Sequence, residues 1–557
     1  MRKNGVLSIA DAKHITLIEP KVRESYNQYL GSLASNNNIK NVSWLLGVVC
    51  RNTYISLLHD RFCRLQLLED RIKDQSLMYS AILIDSKSMY LPVSQLLQRY
   101  SCSAKIRICG NTRRKSFHLL KNLIKNIYIC FNNWFWALCF NQKKVKPKGS
   151  VILLDLFLLK NGFNPDMTIS DRYYTGLINC LDGDQKKQVY YLPTLFGLRY
   201  PHDWFQQFQN IVKSRSNILL KEFWLGWRDY LMAIRQSLTL HKSITIIPKW
   251  KEIDISTMVE EELFLERGSY AISSSFLLYL SFKRYKDDGL RITGIIDWFE
   301  NQVIDRALYL GVHKFYPQVE TKGYMGIYLA GYYAGSVPMS YEYQAGILPN
   351  ELFVVGRKYI ANKRKYCQEI KVSTAPAFRF QSVINFYQET DIQKDKIILA
   401  MPMMIEESRQ IIELAFKTVL PKKYSWIIKT HPATPYDKLL HSIPNKVINS
   451  FVFTDRDLVD LFQEAHLLVT NASSVALEAV VSGVPVAIVG NRSGPTINPL
   501  HYIVDNMYWS ICYTPQDLIN TIEKKAPSKA LNTLSYFEPV TLKGVLKMLN
   551  FEKEHTQ

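Results

Sequence analysis

In the second half of the chain, apolar residues come in short unbroken runs that stop abruptly at polar ones. Lys396-Ile-Ile-Leu-Ala-Met401, Trp426–Thr430, Leu467–Thr470 and Val484–Val489 have this form. A run of four to six apolar residues without alternation is the mark of a strand buried on both faces, as in a parallel sheet covered by helices. Helices are predicted between these runs: one starting near Glu406, where Glu406 and Glu407 suit the positive helix end, then Asp457–Glu464 and Ser474–Ser482. Strand and helix therefore alternate as in a doubly wound α/β domain. The first half shows the same habit less regularly. Strands are expected at Ala81–Asp85, Lys105–Cys109, Val151–Asp155, Arg291–Asn301, Gly323–Leu329 and Leu352–Gly356, with an amphipathic helix at Lys221–Leu238. From Arg357 to about Asp395 the pattern loosens into charged residues. The division predicted is an N-terminal α/β domain over 1–356, a connection over 357–395 and a second α/β domain over 396–557.

One stretch stands outside this alternation. Ile127–Phe140 is the nearest approach to a long apolar run, but Asn132 and Asn133 break it, so it falls short of the roughly 18–20 residues needed to span a bilayer. It carries Trp134, Phe135 and Trp136 and lies between Arg113-Arg-Lys115 and the lysines at 143, 144, 146 and 148. Two readings fit residues 113–148: a helix or hairpin lying in a membrane surface, or an ordinary pair of core helices with solvated flanks.

The 557 residues suffice for two or three domains, and 47% apolar with 21% charged residues excludes wholesale disorder. A net charge of +20 favours polyanions: nucleic acid, anionic lipid, or negatively charged sugars and nucleotides. No zinc-finger spacing, aromatic RNA-binding signature or basic-region helix is present, so specific nucleic-acid reading is not expected. Nine scattered cysteines without a C-x-x-C pair suggest reduced thiols, and the N-terminus lacks the apolar run of a signal peptide. A location inside the cell is expected.

The chemistry concentrates where two strands end. Ile427-Ile-Lys-Thr-His-Pro432 leaves Lys429, Thr430 and His431 at a strand tip fixed by Pro432, and a histidine there can donate to phosphate oxygens or protonate a leaving phosphate. Leu468-Val-Thr-Asn-Ala-Ser-Ser474 ends a second strand in Asn471, Ser473 and Ser474 at the start of a helix. One hydroxyl can cap that helix while the other faces an anion at its N–H groups, although both serines could simply be caps. Glu478, four residues after Ser474, lies on the same helix side and can accept from ribose hydroxyls. No metal site is expected: Asp455-Arg-Asp457 reads as a helix cap, and no His/Cys cluster has ligand spacing.

Glu478-Ala-Val-Val-Ser-Gly-Val-Pro485 resembles the Glu-Ala-x-x-x-Gly-x-Pro block of GT-B glycosyltransferases, and Lys429-Thr-His-Pro432 with Ser473-Ser474 is similar to the His-Pro and Ser motifs of bacterial sialyl-, polysialyl- and Kdo transferases. Trp298-Phe-Glu-Asn-Gln302, Gly323-Tyr-Met-Gly326 and Gly346-Ile-Leu-Pro349 extend a likeness to a surface-carbohydrate family of O-antigen and capsule loci over roughly 151–525. The resemblance implies two Rossmann-like domains facing across a cleft. His431, Ser473 and Ser474 would contact the phosphate of a CMP-sugar, without cofactor or metal. The acceptor would be a surface glycan or glycolipid, reached at the inner face of the bacterial inner membrane. Such an enzyme needs a base in the N-terminal half. Glu300 is the first candidate, although a helix-start carboxylate is an equal reading. Asp288, in Asp287-Asp-Gly289, matches the letters of the sialyltransferase acidic pair but precedes a strand, as a turn does. Competing expectations are a UDP-sugar or CDP-glycerol transferase, a UDP-sugar epimerase, and a non-catalytic assembly scaffold.

Overall fold

A computed structural model describes residues 6–37, 51–74, 80–109, 114–141, 146–328, 331–387, 392–418, 423–431, 443–444, 447, 449–524 and 531–551. Two six-stranded sheets, parallel throughout, form its centre. A separate parallel pair, β1 (Ala81–Ile84) and β2 (Lys105–Ile108), stands near the N-terminus. The N-terminal sheet comprises β3 (Ser150–Leu159), β4 (Val189–Phe196), β5 (Arg291–Trp298), β6 (Glu320–Met325), β7 (Glu351–Val354) and β8 (Lys371–Thr374), in the order β4-β3-β5-β6-β7-β8. The C-terminal sheet comprises β9 (Lys396–Ala400), β10 (Ser425–Lys429), β11 (Val452–Phe453), β12 (Ala465–Thr470), β13 (Val486–Val489) and β14 (Trp509–Cys512), in the order β11-β10-β9-β12-β13-β14.

The unbroken apolar runs have the expected cause. In β9, Ile397 and Leu399 enter one core while Ile398 and Ala400 enter the other. Leu467 and Val469 of β12 are divided from Leu468 in the same way, so each strand is covered on both faces. Each sheet starts at a central strand, grows to one side, and then returns to the other. Each therefore has a switch point, at β3/β5 and at β9/β12, where strand carboxyl ends open a crevice. The two Rossmann-like domains of a GT-B-type fold are the result.

The structure corrects three boundaries. β8 lies inside the segment read as a connection but pairs with β7 as the sixth strand of the N-terminal sheet. It is a four-residue edge strand with a half-exposed surface, so it lacks the apolar run by which buried strands are read. Residues 531–551 return to the N-terminal domain: Glu538 N donates to Val355 O (2.6 Å), Phe537 stacks on Phe380 (4.3 Å), and Lys322 Nζ donates to the carbonyls of Lys547 and Met548 (3.0 Å each). At the other terminus the helix Ile9–Ser35 reaches the C-terminal domain, with Thr16 Oγ1 bonded to Tyr513 OH (2.9 Å) and Arg23 to Tyr502 OH (2.6 Å). Each terminus thus ties the domains together.

Residues Arg114–Phe140 form one continuous helix, neither a hairpin nor a helix pair. Its polarity is inverted. Asn126 is fully buried and donates to Ser273 Oγ (2.8 Å), and Asn133 links Trp204 Nε1 (2.6 Å) to Tyr270 OH (2.8 Å). The opposite face exposes Phe117 (70%), Ile124 (59%) and Phe131 (54%). The predicted helix Lys221–Leu238 is a short 3-10 turn, Lys221–Trp224, followed by a helix from Trp227 to Thr239. Among the described residues no helix is long and apolar enough to cross a membrane, and the eight described cysteines are free.

Candidate active site

In the C-terminal domain the two predicted tips emerge on the same sheet edge. Thr430 and His431 follow β10, Asn471 to Ser474 follow β12, and β9 runs between them, so the tips flank the switch point about two strand spacings, roughly 10 Å, apart. Neither is sealed: Thr430, His431, Asn471, Ser473 and Ser474 are all half-buried. Burial holds the His431 imidazole below the ordinary histidine range. Lys429 turns aside, its Nζ donating to Asp455 O (2.7 Å), and Pro432 lies outside the described residues.

The serines divide their labour. Ser473 Oγ accepts from Val475 N (3.4 Å), while Ser474, at the cap position, makes no side-chain cap bond. The expectation of open helix N–H groups needs correcting. The helix Val475–Val481 has seven residues, and the amides of Ala476 and Leu477 already donate to Ser473 O (3.2 Å) and Ser474 O (3.0 Å). Little of a helix dipole is on offer, so side chains must do more of any anion binding there. Asn471 supplies another polar group. Its amide bonds Glu407, at the start of the helix that follows β9, and its Oδ1 is buried without a partner in the structure. Such an acceptor costs about 1–3 kcal/mol unless something donates to it.

On the N-terminal side, Glu300 stands just past the carboxyl end of β5 at the other switch point. Trp298 Nε1 donates to its Oε1 (2.8 Å) and Gln302 Nε2 to its Oε2 (2.5 Å). Its backbone is pinned as well: the amides of Glu300 and Gln302 donate to Asp305 Oδ2 (2.9 Å each) in a capping box that opens the helix Val303–Phe315. Asn301 between them adopts a left-handed conformation (φ 55°), held by its bonds to Gly335 O (3.1 Å) and Arg306 (3.2 Å). Glu342 sits beneath, paired with Arg51 (2.6 Å) and Arg306 (3.3 Å), all three buried. Glu300 is therefore a positioned carboxylate, not the helix cap; Asp305 fills that part.

Asp288 lies at the opposite end of β5, bonded to Trp224 Nε1 (2.9 Å) and Lys146, with Gly289 at φ 73° completing a turn. Eight strand residues, roughly 26 Å, separate it from Glu300, so the two cannot serve one cleft. Asp288 is withdrawn as a candidate base, since the Asp-Asp-Gly letters here spell a helix-to-strand turn.

Residues that sequence reasoning missed join the two edges. Arg379 places its guanidinium over the Trp298 ring (5.8 Å to the centroid) and interacts electrostatically with Glu478 across the cleft. Burial pushes the Glu478 carboxyl up to about 7, the Arg379 charge opposing. Tyr54, 53% exposed, stacks on Tyr333 (5.7 Å) and interacts electrostatically with Glu407 of the other domain. Tyr173 packs against Trp298 (4.7 Å) beside a cavity of about 210 Å³ that Arg172 also lines. Below Glu300, Asp155 and Asp297 share a face of β3 and β5 and bond each other, and Tyr309 OH donates to Asp297 (2.6 Å). Burial, then mutual repulsion, pushes Asp297 well above the carboxylate range; burial and Asp305 raise Asp155 to about 7. The sequence carries a signal for that pair: an aspartate inside each of two apolar strands, Val151–Leu159 and Ile295–Trp298. Among the described residues no group of three or more His, Cys, Asp or Glu could hold a metal ion.

The Glu478 shift has a sign that can be checked. Its folded-state value near 7 lies above the ordinary 4.5, so between these values the folded protein holds a proton that the unfolded chain has released. Stability therefore falls as pH rises through that window. Glu478→Gln is expected to leave stability unchanged at pH 4.5 and to increase it at pH 8 by on the order of 2 kcal/mol, read as a higher melting temperature in paired thermal melts.

Residues 428–492, which run from the end of β10 past β13 and include both tips, match the family described as "Putative glycosyltransferase (DUF6716)". No curated protein matches the chain. Among solved structures it is similar to the UDP-GlcNAc 2-epimerase of Neisseria meningitidis bound to UDP-GlcNAc, at 13% identity over 72% of this chain and 100% of that one, with a TM-score of 0.36. The Acinetobacter baumannii MurG gives 10% identity, 72% and 100% coverage, and a TM-score of 0.37. Anabaena Alr3699/HepE in complex with UDP gives 11%, 67% and 89%, and 0.35. Likeness at this level says nothing of substrate. What stands is a GT-B-type α/β fold in which the two C-terminal tips, at His431 and Asn471–Ser474, lie within the segment matching that family.

Proposed function

We propose that the protein is a glycosyltransferase that moves an acidic sugar from a CMP ester to a surface-glycan acceptor held at the N-terminal edge. The observation that carries this reading is the pairing of two switch-point edges across one cleft, with a positioned carboxylate on one and an anion-suited tip on the other. In the proposed step Glu300 takes the proton of the acceptor hydroxyl as its oxygen bonds to the anomeric carbon from the face opposite the phosphate. The bond from that carbon to the phosphate oxygen breaks, and CMP leaves with the electron pair. His431 and Ser474 Oγ donate hydrogen bonds to the departing phosphate, where charge develops. Asn471 Oδ1 finds its missing donor in a hydroxyl of the bound nucleotide sugar, and ionised Glu478 accepts from the ribose. A single phosphate makes modest demands, which supports a site built from hydrogen bonds rather than from a bound cation.

The inverted helix Arg114–Phe140 supports a peripheral seat on an anionic bilayer, where an apolar face with Lys121 and Lys125 beside it is an asset. Isothermal titration with CMP, CDP and UDP tests the donor. Measurable CMP binding, weakened about tenfold or more in His431→Ala and Ser474→Ala, is the expected result, since each loses a hydrogen bond to a charged group worth about 1.5–3 kcal/mol. Preference for UDP would move the donor to the UDP-sugar class, and indifference to all three would leave the scaffold reading.

A further inference from the structure

A cavity of about 590 Å³ lies against the helix Arg114–Phe140, and the start of the helix Val303–Phe315 also lines it. Trp204, Leu195, Phe157 and Tyr270 contribute apolar surface deep inside, and Ile129 and Lys125 bring the inverted helix to its wall. Gln302 is also part of the lining, and its Nε2 is the group that holds Glu300 Oε2 at 2.5 Å. The lining therefore includes both the inward side of the helix Arg114–Phe140 and the side chain that positions the candidate base. Its size is that of a small-molecule site.

Its surroundings indicate what it takes. Two apolar residues of the lining open outward: Phe196 is 58% and Ile55 61% exposed. Lys125 and Arg199, both exposed, line it as well, and these are cations suited to an anionic head group. Glu266 also lines it, its carboxyl pushed up by burial to about 7, so little negative charge opposes an anion below that pH. Apolar surface predominates, with Asn122, Asn133, Ser274 and Gln302 among the polar groups, a mixture that suits an alkyl chain carrying a polar end.

We propose that this cavity receives the apolar chain of a lipid-linked acceptor drawn from an anionic bilayer, so that the polar end of that acceptor reaches Gln302 and Glu300. The inference rests on the reading of Glu300 as the acceptor-side base. It adds that the acceptor is an amphiphile recognised by its chain as well as its head. Gln302 then acts as a positioning residue between chain and base.

The test uses the full-length protein with phosphatidylglycerol vesicles carrying hexadecyl phosphate with a mid-chain diazirine. After illumination the labelled peptides are mapped by mass spectrometry, and vesicle pelleting is measured in parallel. Labels on Trp204, Tyr270 or Ser274 are expected. They should fall at least fivefold in Ser274→Phe, which fills the cavity, while pelleting is unchanged. Should that variant fail to fold, Leu195→Trp fills the same space from β4. Labels confined to Phe117, Ile124 and Phe131 would overturn the proposal, leaving only surface contact with lipid. No labelling at all, or a helix face covered by a second copy of the chain in sedimentation, would overturn it too. Nucleotide titration on the same preparation separates the failures. Nucleotide binding without cavity labels retires the cavity alone, and cavity labels without nucleotide binding retire the transfer reading.

Discussion

Replacing Glu300 by glutamine is expected to lower transfer by about 10²–10⁴-fold, the range lost when a general base is removed, while leaving nucleotide affinity and fold intact. Glutamine keeps an oxygen to accept from Trp298 Nε1, which now bonds Oε1 at 2.8 Å, so the loop should hold its shape. What is lost is the capacity to take a proton. The effect should fall on kcat, because the nucleotide tip at His431 and Ser474 belongs to the other domain. A product assay with circular dichroism and CMP titration on the same sample checks all three parts. Unchanged turnover would return Glu300 to a structural role and shift attention to the carboxyl pair Asp155 and Asp297, which is buried and pushed toward its neutral form.

The largest stability loss is expected from Glu342→Ala. This carboxylate lies between the guanidinium groups of Arg51 (2.6 Å) and Arg306 (3.3 Å), and none of the three is more than 3% exposed. Removing it leaves two buried cations facing each other, a change that costs about 3–5 kcal/mol in comparable pairs. Local consequences follow as well. Glu342 also accepts from the Asn301 amide (3.3 Å), which holds the left-handed turn carrying Glu300 to its place. Urea unfolding should therefore show a lower midpoint, and residual activity at low temperature should fall below that expected from the folded fraction. A loss under 1 kcal/mol would mean that water reaches the cluster.

Four of the six C-terminal strands could be read because they are covered on both sides and so form uninterrupted apolar runs; the edge strands β11 and β14, half-exposed, carry no such run and were missed. Lys396–Ala400 and Leu468–Thr470 are examples, and the tips at His431 and Ser473-Ser474 followed directly. Strand order could not be read, since pairing between distant segments leaves no local trace, and so the switch points came only with the structure. Arg379 escaped notice for a related reason. It sits in a loose charged segment whose importance comes from Trp298 and Glu478, respectively 81 and 99 positions away in this chain. The helix 114–140 carried its aromatic spacing openly, but which face pointed inward depended on partners such as Ser273 and Trp204 in other elements. Asp288 shows the reverse error, in which matching letters at the wrong end of a strand suggested chemistry that geometry forbids.

In the proposed reaction a nucleotide's phosphate docks on the carboxyl edge of the C-terminal sheet, opposite Glu300. A crystal structure of the protein grown with CMP tests it most directly. The phosphate is expected within hydrogen-bond reach of His431 and Ser474 Oγ, with the ribose hydroxyls toward Glu478 and Asn471. A nucleotide bound elsewhere, or a phosphate that leaves both His431 and Ser474 untouched, would contradict it.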